Sequence, residues 1–133
     1  MNSRDAASDL LALAREDLSS ARALYAAEGI SERPVGFHAQ QAVEKALKAV
    51  LAVQGAEFPF THDIAVLIEL CEDAGFEIPR SLADADHLTP YAAALRYGLG
   101  DPNAVEPESA IAWAALAVEW AEGIVKTDLE DLA

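Results

Sequence analysis

Apolar residues recur at helical spacing along almost the whole chain and nowhere alternate as a half-buried strand would require, so the sequence is committed to a bundle of helices. The first stripe, Leu10, Leu11, Ala14, Leu18, Ala21, Leu24 and Tyr25, ends at Gly29. Residues 31–36, with Pro34 among them, read as a connector, and a second helix then runs to Gly55. Thr61 is placed to cap a third helix with Asp63 in its first turn, and Gly75 closes it. Residues 81–88 predict a short helix. Thr89 and Pro90 then read as an N-cap and first helical position for residues 91–97, with residues 98–106 as the longest loop. The last helix is predicted from Pro107 to Lys126, and the acidic residues 127–133 as a frayed tail. Short connections enforce neighbour-to-neighbour packing. The expected fold is therefore all-α: one domain over residues 1–133, an antiparallel up-and-down four-helix bundle with a short fifth helix and a core over about residues 5–126.

That last helix has only Glu119 charged between Ala110 and Ala121, and its main stripe is Trp113, Leu116, Ala117, Trp120 and Ile124. A helix apolar almost all round needs cover on more than one side, so it is expected to sit centrally or to form a homodimer interface.

The second helix is different. With successive residues about 100° apart, Ala39, Val43, Ala46, Leu47, Val50 and Leu51 share one arc, and His38, Gln40, Gln41, Glu44, Lys45 and Lys48 share the other. A soluble face with a Glu44/Lys48 pair explains part of this. Two adjacent glutamines and a histidine suggest either recognition or burial against a neighbouring helix.

Charge sharpens the reading. Nine basic against 23 acidic residues give −14, a field that repels phosphate backbones and suits a basic partner. Residues 33–62, which contain the polar helix, are the one stretch that is not acidic. If an anion such as a nucleotide or RNA phosphate binds, His38, Gln41, Lys45, Lys48, His62 and Arg96 are the candidates. His62 gains from its place at a helix start, where backbone N–H groups can hold phosphate.

Other chemistry finds no footing. The three histidines lack helical metal-site spacing, and no Gly-x-Ser-x-Gly elbow, phosphate loop or dinucleotide fingerprint occurs, so no metal or cofactor is expected. The single cysteine, Cys71, follows Ile64, Leu67 and Ile68 at helical spacing and reads as a buried hydrophobe in a reducing cytoplasm. Neither a signal segment nor a membrane-length apolar run is evident. High alanine with few lysines is a composition of GC-rich bacterial genomes.

Three separated segments, Phe37 through Ala49 (FHAQQAVEKALKA), Thr61-His62-Asp63-Ile64, and Leu88-Thr89-Pro90-Tyr91 leading to Ala94-Leu95-Arg96-Tyr97, together resemble the HEPN domain (higher eukaryotes and prokaryotes nucleotide-binding) in order and spacing. The resemblance implies an all-α bundle that commonly dimerises and is often paired with a minimal nucleotidyltransferase as toxin and antitoxin. Active members are metal-independent ribonucleases using an arginine followed four to six residues later by a histidine. This sequence departs from that pattern, since no histidine follows Arg96. Arg33 with His38 and Arg80 with His87 match the spacing but not the setting. The expectation is thus a HEPN component of such a pair, with a metal-independent RNase toxin or a non-catalytic helical scaffold as alternatives.

Overall fold

The computed structural model describes residues 3–27, 29, 32–55, 57–58, 60–93 and 104–131. It contains α1 (Ser3–Ala26), α2 (Glu32–Val53), α3 (Ile64–Asp73), a 3-10 segment (Arg80–Ala92) and α4 (Pro107–Glu130), with no strand among the described residues. The helical bundle is as expected. Two contacts fix direction: Arg4 pairs with Asp128 at one end of α1, and Tyr25 at the other end donates to Glu108, so α1 and α4 run antiparallel. The Tyr25 hydroxyl holds the Glu108 carboxyl below its usual range, a favourable charge in the first turn of α4.

The central helix is α2, not the apolar last helix. It packs against α1, α3, α4 and the 3-10 segment, and 13 of its 22 residues are buried. Its alanines (Ala39, Ala42, Ala46, Ala49) let neighbouring backbones come close, and Leu47, Val50 and Leu51 fill the remaining space. In α4 the buried stripe is likewise small: Ala110, Ala114, Ala117, Ala121 and Val125. Of the predicted stripe, Ala117 is buried, while Trp113, Leu116, Trp120 and Ile124 are only partly buried along one flank. Bulky rings would hold α4 away from α1 and α2, and at the flank Trp120 can donate Nε1 to the Glu77 carbonyl at 3.1 Å.

Helix boundaries differ from expectation at four places, each for a local reason. The predicted connector at residues 31–36 is mostly helix, because Pro34 falls in the first turn, where its missing N–H costs no helical bond. Gly36 is there for space: a Cβ would lie 2.5 Å from the Tyr91 ring. Residue Asp63, not Thr61, caps α3, its carboxylate accepting from the amides of Ala65 and Val66. No new helix starts at Thr89; the 3-10 segment passes through Pro90, burying Leu82, Ala85, Leu88 and Tyr91 at the strict spacing of three that a 3-10 turn aligns. Its predicted continuation to Tyr97 lies beyond Ala93, outside the described residues. Finally, α4 continues to Glu130 instead of fraying from Thr127.

The predicted stop at Gly75 is seen in full. With φ +95, Gly75 donates to the Glu72 carbonyl and Phe76 to the Cys71 carbonyl, the Schellman pattern. No described helix is long and apolar enough to cross a membrane.

Two glycines give opposite expectations. Gly36→Ala should destabilise the fold by about 1–3 kcal/mol through overpacking against Tyr91. Gly123→Ala, in α4 with open space around its Cβ position, should stabilise it by about 0.5–1 kcal/mol; urea denaturation of both variants measures the two signs. Burial pushes the Cys71 thiol up to about 12. Iodoacetamide at pH 8 should therefore leave the native protein unlabelled and modify one cysteine per chain in denaturant.

Candidate functional site

The polar arc of α2 faces inward. Gln40 is 0% exposed and Glu44 4%, so the arc is not a solvated face, and the Glu44/Lys48 pair is not a surface pair. Every buried side-chain nitrogen and oxygen among the described residues has a hydrogen-bond partner. Burial is thus matched by a closed network, as desolvated polar groups require.

One half of the network is built around Glu44. Its Oε1 accepts from Gln40 Nε2 at 3.0 Å and from His62 Nδ1 at 2.6 Å, and its Oε2 accepts from Lys48 Nζ at 3.1 Å. An ionised carboxylate can only accept, so His62 carries its proton on Nδ1. Gln40 also donates to the His62 carbonyl at 3.4 Å, and Gln41 donates to Gln40 Oε1 at 2.6 Å. Lys48 lies 5.8 Å from the centroid of the Phe58 ring, a cation–π contact on its remaining side.

The other half is built around Asp17 of α1. Its Oδ1 accepts from His38 Nδ1 at 2.9 Å and its Oδ2 from Lys45 Nζ at 2.6 Å. His38 also meets the Phe37 ring edge-on, with centroids 5.3 Å apart. The polar arc thus carries two imidazole–carboxylate pairs, each joined through Nδ1 and each with a lysine on the other carboxylate oxygen. Formally, two carboxylates and two ammonium groups cancel.

Of the predicted residues, His38 and Lys45 converge on Asp17, while Gln41, Lys48 and His62 join the Glu44 network. Arg96 lies outside the described residues. His62 does not sit over a vacant helix terminus as the sequence suggested. All four amides of the first turn of α3 are taken: Ile64 by Thr89 Oγ1, Ala65 and Val66 by Asp63, and Leu67 by the Asp63 carbonyl. An anion finds no free donor there. Nor do three His, Cys, Asp or Glu side chains gather as a metal site among the described residues. A cavity of about 350 Å³ between α1 and α4, lined by Ser8, Leu11, Arg15, Glu122 and Lys126, holds none of the predicted residues.

Asp17 is the member of the network that sequence reasoning passed over; Glu44 was read on the polar arc with Lys48 as its partner, and that pair is present. For Asp17 a signal existed: in a hairpin centred near Gly29, residue 17 lies opposite residue 41, and His38 and Lys45 flank residue 41 by about one turn on either side.

The geometry makes Glu44 structurally expensive to lose. Glu44→Ala removes the acceptor for three donors, two of them well buried, and should cost about 3 kcal/mol in urea denaturation; Gln41→Ala, at the partly exposed end, should cost under about 1 kcal/mol.

The sequence matches the HEPN domain family over residues 7–126. No curated protein matches it. Among solved structures, the crystal structure of an archaeal HEPN homologue is similar at 25% identity, covering 90% of this chain and 97% of that one with a TM-score of 0.66. A HEPN domain protein from Thermotoga maritima shares 30% identity over 98% of this chain and 96% of that one, with a TM-score of 0.38. The bundle, the central FHAQQAVEKALKA helix and the family match over nearly the whole chain agree, and the chain belongs to the HEPN domain family.

Proposed function

We propose that this protein is the HEPN component of a toxin–antitoxin-type pair with a minimal nucleotidyltransferase, that it works in the cytoplasm as a homodimer, and that the α2 polar face meets a nucleotide or RNA phosphate. The observation that carries the reading is the assembly of His38, Lys45, Lys48 and His62 along one face of the central helix, each held by a carboxylate. Both imidazoles are bonded through Nδ1, which leaves Nε2 for an incoming group. His62, with 68% of its side chain exposed, is the more accessible. Membership of the HEPN family and a net charge of −14, suited to a basic protein, support the pairing.

A non-catalytic role fits better than an RNase. The arginine–histidine arrangement expected of active members has no histidine after His87 to complete it, and α4 carries neither arginine nor histidine. Arg33 is exposed in the first turn of α2, while His38 is tied to Asp17; His87 instead lies against Trp113, with ring centroids 6.3 Å apart. The homodimer reading rests on the part-buried flank of α4 that carries Trp113, Leu116 and Trp120.

Because each lysine is already neutralised, a phosphate must compete with a carboxylate for it. Calorimetric titration with ATP and with a short RNA should then show weak, saturable heat. Lys45→Ala should reduce the affinity, and Asp17→Asn, which removes the competing charge, should raise it by roughly three- to tenfold. No heat from wild type with either ligand removes the phosphate reading. RNA left intact by the purified protein, at micromolar concentration and low salt, is the expected result for a non-catalytic module.

A further inference from the structure

We infer that the cavity between α1 and α4 is a binding site for a small aliphatic monocarboxylate, with the carboxylate at Arg15 and Lys126 and the hydrocarbon chain along Leu11, Val125 and Leu129. The site is separate from the α2 polar face and does not depend on it. At about 350 Å³ the cavity falls at the lower end of the range of small-molecule pockets, roughly 300–1,000 Å³, which suits a small organic molecule and not a peptide. Its place follows from helix register. Arg4 pairs with Asp128 and Arg15 with Glu122, so the antiparallel helices set Ser8 and Leu11 opposite the last turns of α4. Because α4 continues to Glu130, Leu129 is there to form the wall at that end.

The first supporting observation is the apolar lining. Leu11 and Val125, each 4% exposed, form the floor, and Leu129, nearly half exposed, is a wall that the core does not cover. Gly123 also borders the cavity, and a Cβ there would meet nothing within 4 Å. Glycine inside a helix costs stability, and neither close packing nor a positive φ calls for it at this position. Its effect is to keep the space open. No aromatic side chain among the described residues lines the cavity, so a nucleobase has nothing to stack on, whereas a hydrocarbon chain meets three aliphatic side chains.

The second is charge. Arg15 and Lys126 are two of only nine basic residues in the chain, and both border this cavity. Neither is firmly engaged by the fold. The Arg15 guanidinium stands 3.3 Å from the Glu122 carboxylate, longer than the roughly 2.7–2.9 Å of a charge-assisted hydrogen bond, and Lys126 Nζ stands 4.0 Å from Glu130 Oε1, beyond hydrogen-bond reach. Arg15, Lys126 and Glu122 together leave one positive charge on the lining, which a monoanion neutralises. A phosphate dianion would add excess negative charge beside Glu122 in a chain already at −14. A planar carboxylate also matches the guanidinium fork. Arg15, opposite Glu122, marks one end of the cavity and Leu129 the other, so an amphipathic ligand has one orientation.

The experiment is calorimetric titration of the purified full chain with sodium octanoate, and with octylammonium chloride as the same hydrocarbon chain carrying the opposite charge. Wild type is expected to bind one octanoate per chain and no octylammonium. Arg15→Gln should weaken octanoate binding at least about fivefold, and Glu122→Gln, which frees Arg15, should tighten it about threefold. Gly123→Leu, which fills the cavity from a helix position with room for a side chain, should abolish binding with a melting temperature unchanged or raised. Absence of saturable heat with octanoate overturns the site. Binding retained by Gly123→Leu places octanoate elsewhere and overturns it as well. Unchanged affinity in Arg15→Gln, or equal affinity of wild type for octylammonium, overturns the carboxylate assignment. Displacement of octanoate by inorganic phosphate overturns it in favour of a phosphate site.

Discussion

A carboxylate buried in the middle of a helical bundle constrains everything around it. Glu44 sits on the central helix with almost no water available, and an ionised carboxylate there is tolerable only if donors surround it. Those donors come from two places: Gln40 and Lys48 from the turns above and below, and His62 from the segment leading into α3. The first two are fixed by helix geometry. The third requires the chain to double back after α2, so the bond to His62 ties the position of the α2–α3 connection to the orientation of α2. Asp17 does the same for α1, gripping His38 and Lys45 two turns apart on α2. The helix contacts themselves are lined largely by alanine, which allows close approach but specifies little register. Directional bonds supply what the alanines cannot.

The bundle was legible because helical periodicity and glycine stops are local signals. Gly55 and Gly75 end their helices with positive φ where the pattern broke. The orientation of α2 was not legible, because a polar arc calls for water unless the sequence reveals partners for it, and those partners lie on α1 and ahead of α3. Composition alone left α4 as either a central helix or a homodimer interface, and α2 takes the central place. The decisive property was side-chain size at the contact: alanine-lined α2 fits between neighbours on several sides, whereas α4 must keep two tryptophans at its flank. The run from Arg80 to Ala92 was misread for a related reason. Thr89-Pro90 is a sound helix start in isolation, yet the Thr89 hydroxyl is used across space by the Ile64 amide. Leu82, Ala85, Leu88 and Tyr91 carried the correct signal in their spacing.

The candidate site was half legible. Its cations, imidazoles and Glu44 were visible as a pattern on α2; Asp17, on α1, was not, because an acidic residue in a chain with 23 of them attracts no notice. The acids change the chemistry. Free lysines would make an anion site outright, whereas lysines in ion pairs make one that opens only as a ligand displaces a carboxylate. Displacement is more feasible at Asp17, where the groups are partly exposed, than at Glu44, where a displaced carboxylate would be left desolvated. On the proposed phosphate reading, the Glu44 half would be framework, with His62 as its exposed extension, and the Asp17 half the place of exchange.

Electrostatics then orders the events on the proposed function. The α2 face is formally neutral, but the rest of the chain is not, and a phosphate approaching alone meets the field of −14. Screening reduces that field over about 8–10 Å at physiological salt without abolishing it near the acidic surface. A basic protein partner seated beside the α2 face would neutralise the nearest part of that charge and exclude water from the network. Both effects strengthen a lysine–phosphate contact, the first by removing repulsion and the second by lowering the local dielectric. Partner binding before ligand binding is the sequence of steps that this charge distribution favours. Linkage makes the coupling reciprocal, so a nucleotide that binds better to the complex must also tighten the complex.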